Sequence, residues 1–153
     1  MRITHSRDLP VDTNVLLRFA DRIHPLHARI RAAVRTLRTE GHRLRATPQN
    51  CVEFWNVATR PTDKNGLGLV PADADRLLRH VERLFPVLPD VPAVYPQWRQ
   101  LVVLCNVSGV QVHDARLVAA MTVHSVTHIL TRNVTDFVRY ATLGIVAVDP
   151  LTL

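Results

Sequence analysis

The feature that most constrains the fold is the alternation of short apolar runs with segments of helical periodicity. The runs THILT and GIVAVD, at 127–131 and 144–149, are almost continuously apolar. A strand that is apolar on both faces must be covered on both faces, as a parallel strand is when it lies between two layers of helices. The pattern therefore predicts an α/β fold, a three-layer α/β/α sandwich with a mostly parallel central sheet.

Three further strands are expected along the chain. Pro10 can open a strand but lacks the N–H that a central strand needs, so the first strand should start at Pro10 and end near Asp12. The alternating run at 42–47 predicts a second strand, and the run at 85–92 predicts a short strand with turn residues.

Apolar residues recur at helical spacing between these strands. Thr47 followed by Pro48 is a typical helix start, and Asn65-Gly66 lies in the clearest loop, at 61–69. Helices are expected over 13–19 and 26–37, from Pro48 to before Arg60, from Pro71, around Trp98 to before Ser108, and from near His113.

Length and composition predict one domain over 1–153, because 153 residues that are 47% apolar can bury a substantial core. No apolar run approaches the roughly 20 residues that span a bilayer, and the first ten residues do not resemble a signal peptide. Cys51 and Cys105 lie in helix-like apolar patterns and are expected to be reduced. These features favour a cytoplasmic protein that does not contact a membrane.

The charge is concentrated in the first half of the chain. Residues 1–70 hold 12 basic and 6 acidic groups, 71–153 hold 7 of each, and the net charge is +6. Arginine suits phosphate contact because its planar fork donates two hydrogen bonds at once. Phosphate binding by the first half and an ordinary solvated helix face both remain open.

Four acidic residues fall at predicted ends of strands or starts of helices, or on a helix with apolar neighbours. Asp12 ends the first strand, Glu53 has apolar flanks, Asp114 begins a helix, and Asp136 follows 127–131 by a short loop. In parallel α/β sheets, sites form along the carboxyl edge of the strands. Each acid taken alone is also consistent with a helix cap, a first-turn residue or a loop residue.

Crowded carboxylates repel one another, and a divalent cation removes that repulsion. A site built from carboxylate oxygens suits Mg²⁺ or Mn²⁺, which can generate hydroxide and stabilise the charge of a phosphodiester under attack. Four polar residues flank the acids and are candidates to orient them or a metal-bound water. They are Thr13, Asn14, Thr131 and Asn133.

The stretches VDTNVLL, TPQNCVEFWNV, VHDARLVAA and HILTRNVTDF together resemble the four acidic motifs of PIN-domain nucleases, in the family's order. The resemblance covers nearly the whole chain and implies a toxin of the VapC-like size class. It implies that Asp12, Glu53, Asp114 and Asp136 are catalytic in Mg²⁺- or Mn²⁺-dependent hydrolysis of RNA. The expected metal ligands are Asp12, Asp114 and Asp136.

The resemblance also implies partners: an RNA substrate, a second copy of the chain in a homodimer, and a small antitoxin of a type II toxin–antitoxin pair. Arg132 departs from the pattern, because a hydrophobic or small residue is usual there. It is expected either to contact a substrate phosphate or to pair with a site acid and weaken metal binding. The alternative function is a catalytically silent PIN-like module that binds RNA or protein.

Overall fold

The computed structural model describes residues 7–153 and contains a parallel sheet. Four strands form it: β1 (Asp8–Pro10), β2 (Arg43–Arg45), β3 (His128–Leu130) and β4 (Val146–Val148). β1 pairs with β2, and β3 with β4, in both cases parallel. Single bridges join Val11 to Leu130 and Ala46 to Val87, so the order is the segment at Val87, then β2, β1, β3 and β4. The predicted parallel sheet is confirmed, and the run at 85–92 contributes one bridge rather than a full strand.

Pro10 ends β1 instead of opening it, and β1 lies between β2 and β3. The N–H of Val11 points to β2, where it donates to the carbonyl of Arg45 at 2.8 Å, and that of Asp12 points to β3, donating to Leu130 at 2.9 Å. Because successive residues alternate in direction, the missing N–H of Pro10 falls on the β3 side. The predicted strand start was therefore wrong: a proline fits here because β1 and β3 meet only beyond it.

Six α-helices lie among the described residues. They are α1 (Thr13–Ala20), α2 (His27–Thr39), α3 (Pro48–Thr59), α4 (Pro71–Leu84), α5 (Val94–Leu104) and α6 (Val112–Val123). Thr47 caps α3 by accepting a hydrogen bond from the N–H of Asn50, and Pro48 lies in the first turn, as the sequence predicts. Between β3 and β4 runs a 3₁₀ segment, Val134–Leu143. None of the helices in residues 7–153 is long and apolar enough to cross a membrane.

The two faces of the sheet bury different sets of side chains. Leu130 and Val148 pack into a cluster with residues of α1 to α4, whereas Ile129 packs into a second cluster with residues of α5 and α6. Neighbouring residues of a strand point to opposite faces, so this division places one helical layer on each side of the sheet. The predicted three-layer sandwich is thus confirmed.

Candidate active site

Asp12 is buried at the junction of β1 and α1, where it is the N-cap of the helix and only 8% exposed. Its Oδ1 accepts hydrogen bonds from the N–H of Thr13 at 2.8 Å and from Asn50 Nδ2 at 3.4 Å. Its Oδ2 accepts from Thr131 Oγ1 at 2.8 Å and from Asn14 Nδ2 at 3.4 Å. A carboxylate inside an apolar run is tolerated because both of its oxygens are hydrogen-bonded.

Glu53 projects from the second turn of α3 towards the start of α1. Thr13 Oγ1 donates to Glu53 Oε2 at 2.7 Å, and Gln49 Nε2 donates to Oε1 at 3.2 Å. The same Thr13 hydroxyl accepts from Asn50 Nδ2 at 3.0 Å. A continuous hydrogen-bonded chain therefore connects Glu53 to the residues that hold Asp12.

Asp114 and Asp136 come from the other end of the chain. Asp114 is half-buried in the first turn of α6, and it lines a cleft of about 290 Å³ together with Asp12 and Glu53. Asp136 is exposed at the start of the 3₁₀ segment, outside the lining residues but close enough for its charge to raise the pKa values of Asp12 and Asp114. Three of the predicted acids thus face one cleft, and the fourth lies near it.

Burial and mutual repulsion both act on these carboxyls. Burial raises the pKa of Asp12; hydrogen bonds from Thr131 and Thr13 oppose this, and the charges of Glu53 and Asp136 add to it. Burial also raises the pKa of Asp114 to about 6, helped by the charges of the other three acids and opposed by His113. The cleft therefore concentrates negative charge that a cation would neutralise.

The cleft suits a hydrated divalent cation better than a fully dehydrated one. Among residues 7–153 there is no group of three or more His, Cys, Asp or Glu side chains already drawn together as a metal-ligand set. Mg²⁺ usually retains several waters and binds through one or two carboxylates, so a cleft of about 290 Å³ bordered by carboxylate oxygens fits it. Direct ligation by three acids would require their side chains to close around the ion.

The predicted polar neighbours surround Asp12 as one network. Thr131 is fully buried, and its Oγ1 accepts from the N–H of Asn133 at 3.0 Å and from Asn14 Nδ2 at 3.4 Å. Asn14 Oδ1 in turn accepts from the N–H of Arg132 at 3.2 Å. Hydrogen bonds therefore connect the loop after β3 to the start of α1. These contacts fix the orientation of the Asp12 carboxylate.

The guanidinium of Arg132 is bound to a different acid from those of the cleft. Its Nη1 donates to both carboxylate oxygens of Asp149, at 2.8 and 2.6 Å. Asp149 also caps the final 3₁₀ turn by accepting from the N–H of Leu151 at 3.0 Å. Arg132 thus braces the loop after β3 against the end of β4, an arrangement that neither sequence-based interpretation anticipated.

Asn50 is the site residue that the sequence reasoning missed. It is fully buried, and its Oδ1 accepts from Thr47 Oγ1 at 2.7 Å while its Nδ2 donates towards Asp12 and Thr13. A signal was present, because Asn50 precedes Glu53 by three positions and residues at that spacing share a helix face. Asn50 links the cap of α3 to the buried carboxylate.

The variant Asn50→Ala is expected to lose about 2 kcal/mol of unfolding free energy, because it leaves buried polar partners unsatisfied. Urea unfolding measures this loss. The matched control is Asn56→Ala, an exposed residue of the same helix that also borders the cleft, and its cost should stay below about 0.5 kcal/mol. Equal costs for the two variants would contradict the structural role of Asn50.

Comparison with known proteins identifies the family. The family model described as PIN domain matches residues 10–143. No curated protein sequence matches the chain significantly.

Solved structures share the fold at low sequence identity. The structure of VapBC-1 from nontypeable Haemophilus influenzae aligns over 94% of this chain and 98% of that one, with TM-score 0.68 and 12% identity. FitAcB from Neisseria gonorrhoeae aligns over 95% and 99%, with TM-score 0.65 and 23% identity. VapBC2 from Rickettsia felis, bound to a DNA fragment from its promoter, aligns over 93% and 98%, with TM-score 0.69 and 9% identity. With its parallel sheet and the family match across 10–143, this chain belongs to the PIN domain family.

Proposed function

We propose that this protein is a Mg²⁺- or Mn²⁺-dependent endoribonuclease and the toxin of a type II toxin–antitoxin pair. The observation that carries the proposal is the cleft in which buried, hydrogen-bonded Asp12 meets Glu53 and Asp114, with the charge of Asp136 nearby. Membership in the PIN domain family supports nuclease chemistry. The similar structures of VapBC-1 and FitAcB support the toxin assignment.

In this proposal Asp12, Asp114 and Asp136 hold the divalent ion. When bound, the ion supplies Lewis-acid chemistry, which lowers the pKa of a coordinated water and stabilises charge on the phosphodiester. Thr131 and Asn14 fix the direction of the Asp12 carboxylate oxygens through their hydrogen bonds. The direction of the Asp12 carboxylate is therefore already set by the chain's own hydrogen bonds.

Glu53 is the candidate to accept a proton from the attacking water. Its Oε1 and Oε2 accept only neutral donors, from Gln49 and Thr13, in the hydrogen bonds described above. An ionised carboxylate held by neutral donors retains acceptor capacity for a further proton. Gln49 and Thr13 act as positioning residues, because they orient Glu53 without reaching the reacting atoms.

The basic first half supports RNA as the substrate. Arg18 borders the acidic cleft, and Arg22 and Arg31 border another cavity, of about 330 Å³. None of these three forms an ion pair with an acid among residues 7–153, whereas Arg43 and Arg45 both pair with Asp8. We infer that the arginines without an ion pair attract the phosphate backbone, and that Arg43 and Arg45 instead link β2 to β1 through Asp8.

A homodimer and a small antitoxin are the proposed protein partners, acting in the cytoplasm where cellular RNA is available. Large exposed apolar side chains on and after α5 support such contacts, since soluble monomers rarely expose them in groups. They are Tyr95, Val103, Leu104 and Val110, each more than 60% exposed.

The test is RNA cleavage by the wild type and by Asp136→Asn, purified in parallel. Asp136 is exposed, so its neutralisation should leave the fold intact and make the variant a control for contaminating nucleases. With Mn²⁺ or Mg²⁺, the wild type should cleave RNA at least about 100-fold faster than the variant, which corresponds to the loss of one ligand carboxylate. A chelator should abolish cleavage, and DNA of the same sequence should stay intact.

The silent-module alternative predicts a different result. RNA or protein would still bind after chelation and in the Asp136→Asn variant, and neither protein would cleave RNA above background. Cleavage of equal rate in both proteins would contradict a role for the acidic cleft.

A further inference from the structure

A second cavity, of about 400 Å³, adjoins the acidic cleft. Glu53 lines both, so its side chain forms part of the boundary between them. The cavity lies between the start of α3, which supplies Pro48 and Val52, and the start of α6, which supplies Arg116. Its size falls within the range of about 300–1,000 Å³ that is typical of small-ligand pockets.

Gln49 holds the two walls of this cavity together. Its Nε2 donates to the carbonyl of His113 at 2.6 Å and to Glu53 Oε1 at 3.2 Å, and its Oε1 accepts from Arg116 Nη1 at 3.3 Å. Both ends of the amide are engaged, so the side chain has a fixed orientation. Gln49, which lines the cavity, is therefore hydrogen-bonded to the Glu53 carboxylate that borders the acidic cleft.

Arg116 and Asp90 form an ion pair at the mouth of the cavity, with Nη2 and Oδ2 2.8 Å apart and both side chains about 40% exposed. Such an exposed pair contributes little to stability. A guanidinium has five N–H donors, and two of those of Arg116 are used in the contacts to Gln49 and Asp90. The remaining donors, and the second oxygen of Asp90, are available to a ligand.

We propose that this cavity binds the base of the nucleotide next to the scissile phosphate, and that Arg116 and Asp90 set the sequence preference of cleavage. The inference rests on the proposed function. Guanine matches the polar groups best, because guanidinium donors pair with O6 and N7 and a carboxylate accepts from N1–H and the 2-amino group. Pro48 and Val52 offer apolar contact for the faces of the ring. Glu53, as the shared wall, places such a base directly beside the reacting phosphate.

The first experiment maps the cleavage sites of a randomised RNA pool with the wild type, Arg116→Met and Asp90→Asn. The matched control is Arg76→Met, which breaks another exposed pair, the one between Arg76 and Asp73 on α4. The wild type and the control should prefer guanine at one position beside the cut. Arg116→Met should lower kcat/KM for RNAs with guanine at that position by roughly tenfold to a hundredfold, which is the contribution of one bidentate base contact. For RNAs without that guanine, kcat/KM should change much less.

A profile that is the same in Arg116→Met, Asp90→Asn and the wild type would overturn the proposal. Thermal unfolding of each variant verifies that it is folded. Asp90→Asn is the milder change, since it keeps the side-chain shape and removes only the charge.

Binding of free nucleotides separates this inference from the nuclease assignment. Guanosine and cytidine 5′-monophosphates are titrated into the metal-free protein, and the amide resonances of Gln49 and Arg116 are followed by NMR. Guanosine monophosphate should bind more tightly, and Arg116→Met should remove the difference. If the protein binds guanosine monophosphate more tightly than cytidine monophosphate but cleaves no RNA, the base-binding proposal is supported and the nuclease proposal fails. If RNA is cleaved but the nucleotides bind alike, the pocket proposal fails.

Discussion

Replacing Asp12 with asparagine is expected to lower the rate of RNA cleavage at least about 1,000-fold, or some 4 kcal/mol of transition-state stabilisation. Asp12 is the most buried of the four acids, and it receives hydrogen bonds from α1, α3 and the loop after β3. Asparagine keeps the shape but removes the charge that would hold the ion. The ion would lose a ligand carboxylate, and the amide N–H groups of the asparagine would face donors that now bind one carboxylate oxygen of Asp12.

Single-turnover cleavage of one RNA by the Asp12→Asn variant measures this effect. The control is Asp63→Asn, which removes an exposed acid from the 3₁₀ turn Thr62–Lys64 and should change the rate by less than about twofold. Thermal unfolding verifies that Asp12→Asn is folded, because the variant removes a buried charge but also loses the hydrogen bonds that one carboxylate oxygen now accepts. A variant that retains a tenth of the activity would rule out Asp12 as the central ligand.

The second large effect is expected on stability, from Asp114→Asn. Burial and the neighbouring acids raise the pKa of Asp114 from 3.8 to about 6. The folded state therefore holds this proton more tightly than the unfolded state does. The resulting stabilisation is complete below pH 4 and is lost as the pH rises through 6.

At pH 7.5 and without metal, Asp114→Asn should therefore be more stable than the wild type, by about 1–2 kcal/mol. At 1.36 kcal/mol per pKa unit, the full shift would correspond to a difference of about 3 kcal/mol in unfolding free energy. Solvent screening reduces this difference, because Asp114 is only half-buried. Urea unfolding in chelator at pH 3.5 and 7.5 measures the difference, which should nearly vanish at the lower pH because Asp114 is then protonated in both the folded and the unfolded state. Asp63→Asn serves again as the control and should show no such dependence.

Mn²⁺ should reverse the order of stability, so that the wild type becomes more stable than Asp114→Asn. A ligand that binds only the folded state stabilises it by RT ln(1 + [L]/Kd), about 2.7 kcal/mol at a hundredfold excess over Kd. The wild type should gain this amount, and Asp114→Asn should gain clearly less. An equal gain in both would mean that Asp114 does not contribute to the metal site.

Much of the fold was predictable because it depends on local patterns. The two apolar runs near the C-terminus and the helical spacing between strands predicted a parallel sheet in three layers. The placement of Asp12 and Asp114 at a strand end and a helix start predicted that they would lie near one another, whereas Glu53 was a candidate because of its apolar neighbours on a helix. The start of β1 was mispredicted at Pro10, because the cost of a missing N–H depends on which neighbour it would face.

The features that escaped prediction depend on which side chains meet across the fold. Arg132 pairs with Asp149, 17 residues further along, and only the parallel pairing of β3 and β4 brings them together. Asn50 reaches Asp12 across 38 positions. The cavity beside Glu53 likewise arises where α3 meets α6, and no single stretch of sequence encodes it.

The proline at the end of β1 has a mechanical consequence. It limits the contact between the two strand pairs to the single bridge from Val11 to Leu130, and Asp12 is the next residue. Asp12 belongs to the layer that contains α1, and Asp114 to the layer that contains α6. A cation bound by both residues would therefore link the two helical layers at the junction between β1 and β3. The geometry of the site and the cooperativity of unfolding would then both depend on this junction, where a single bridge joins the two strand pairs.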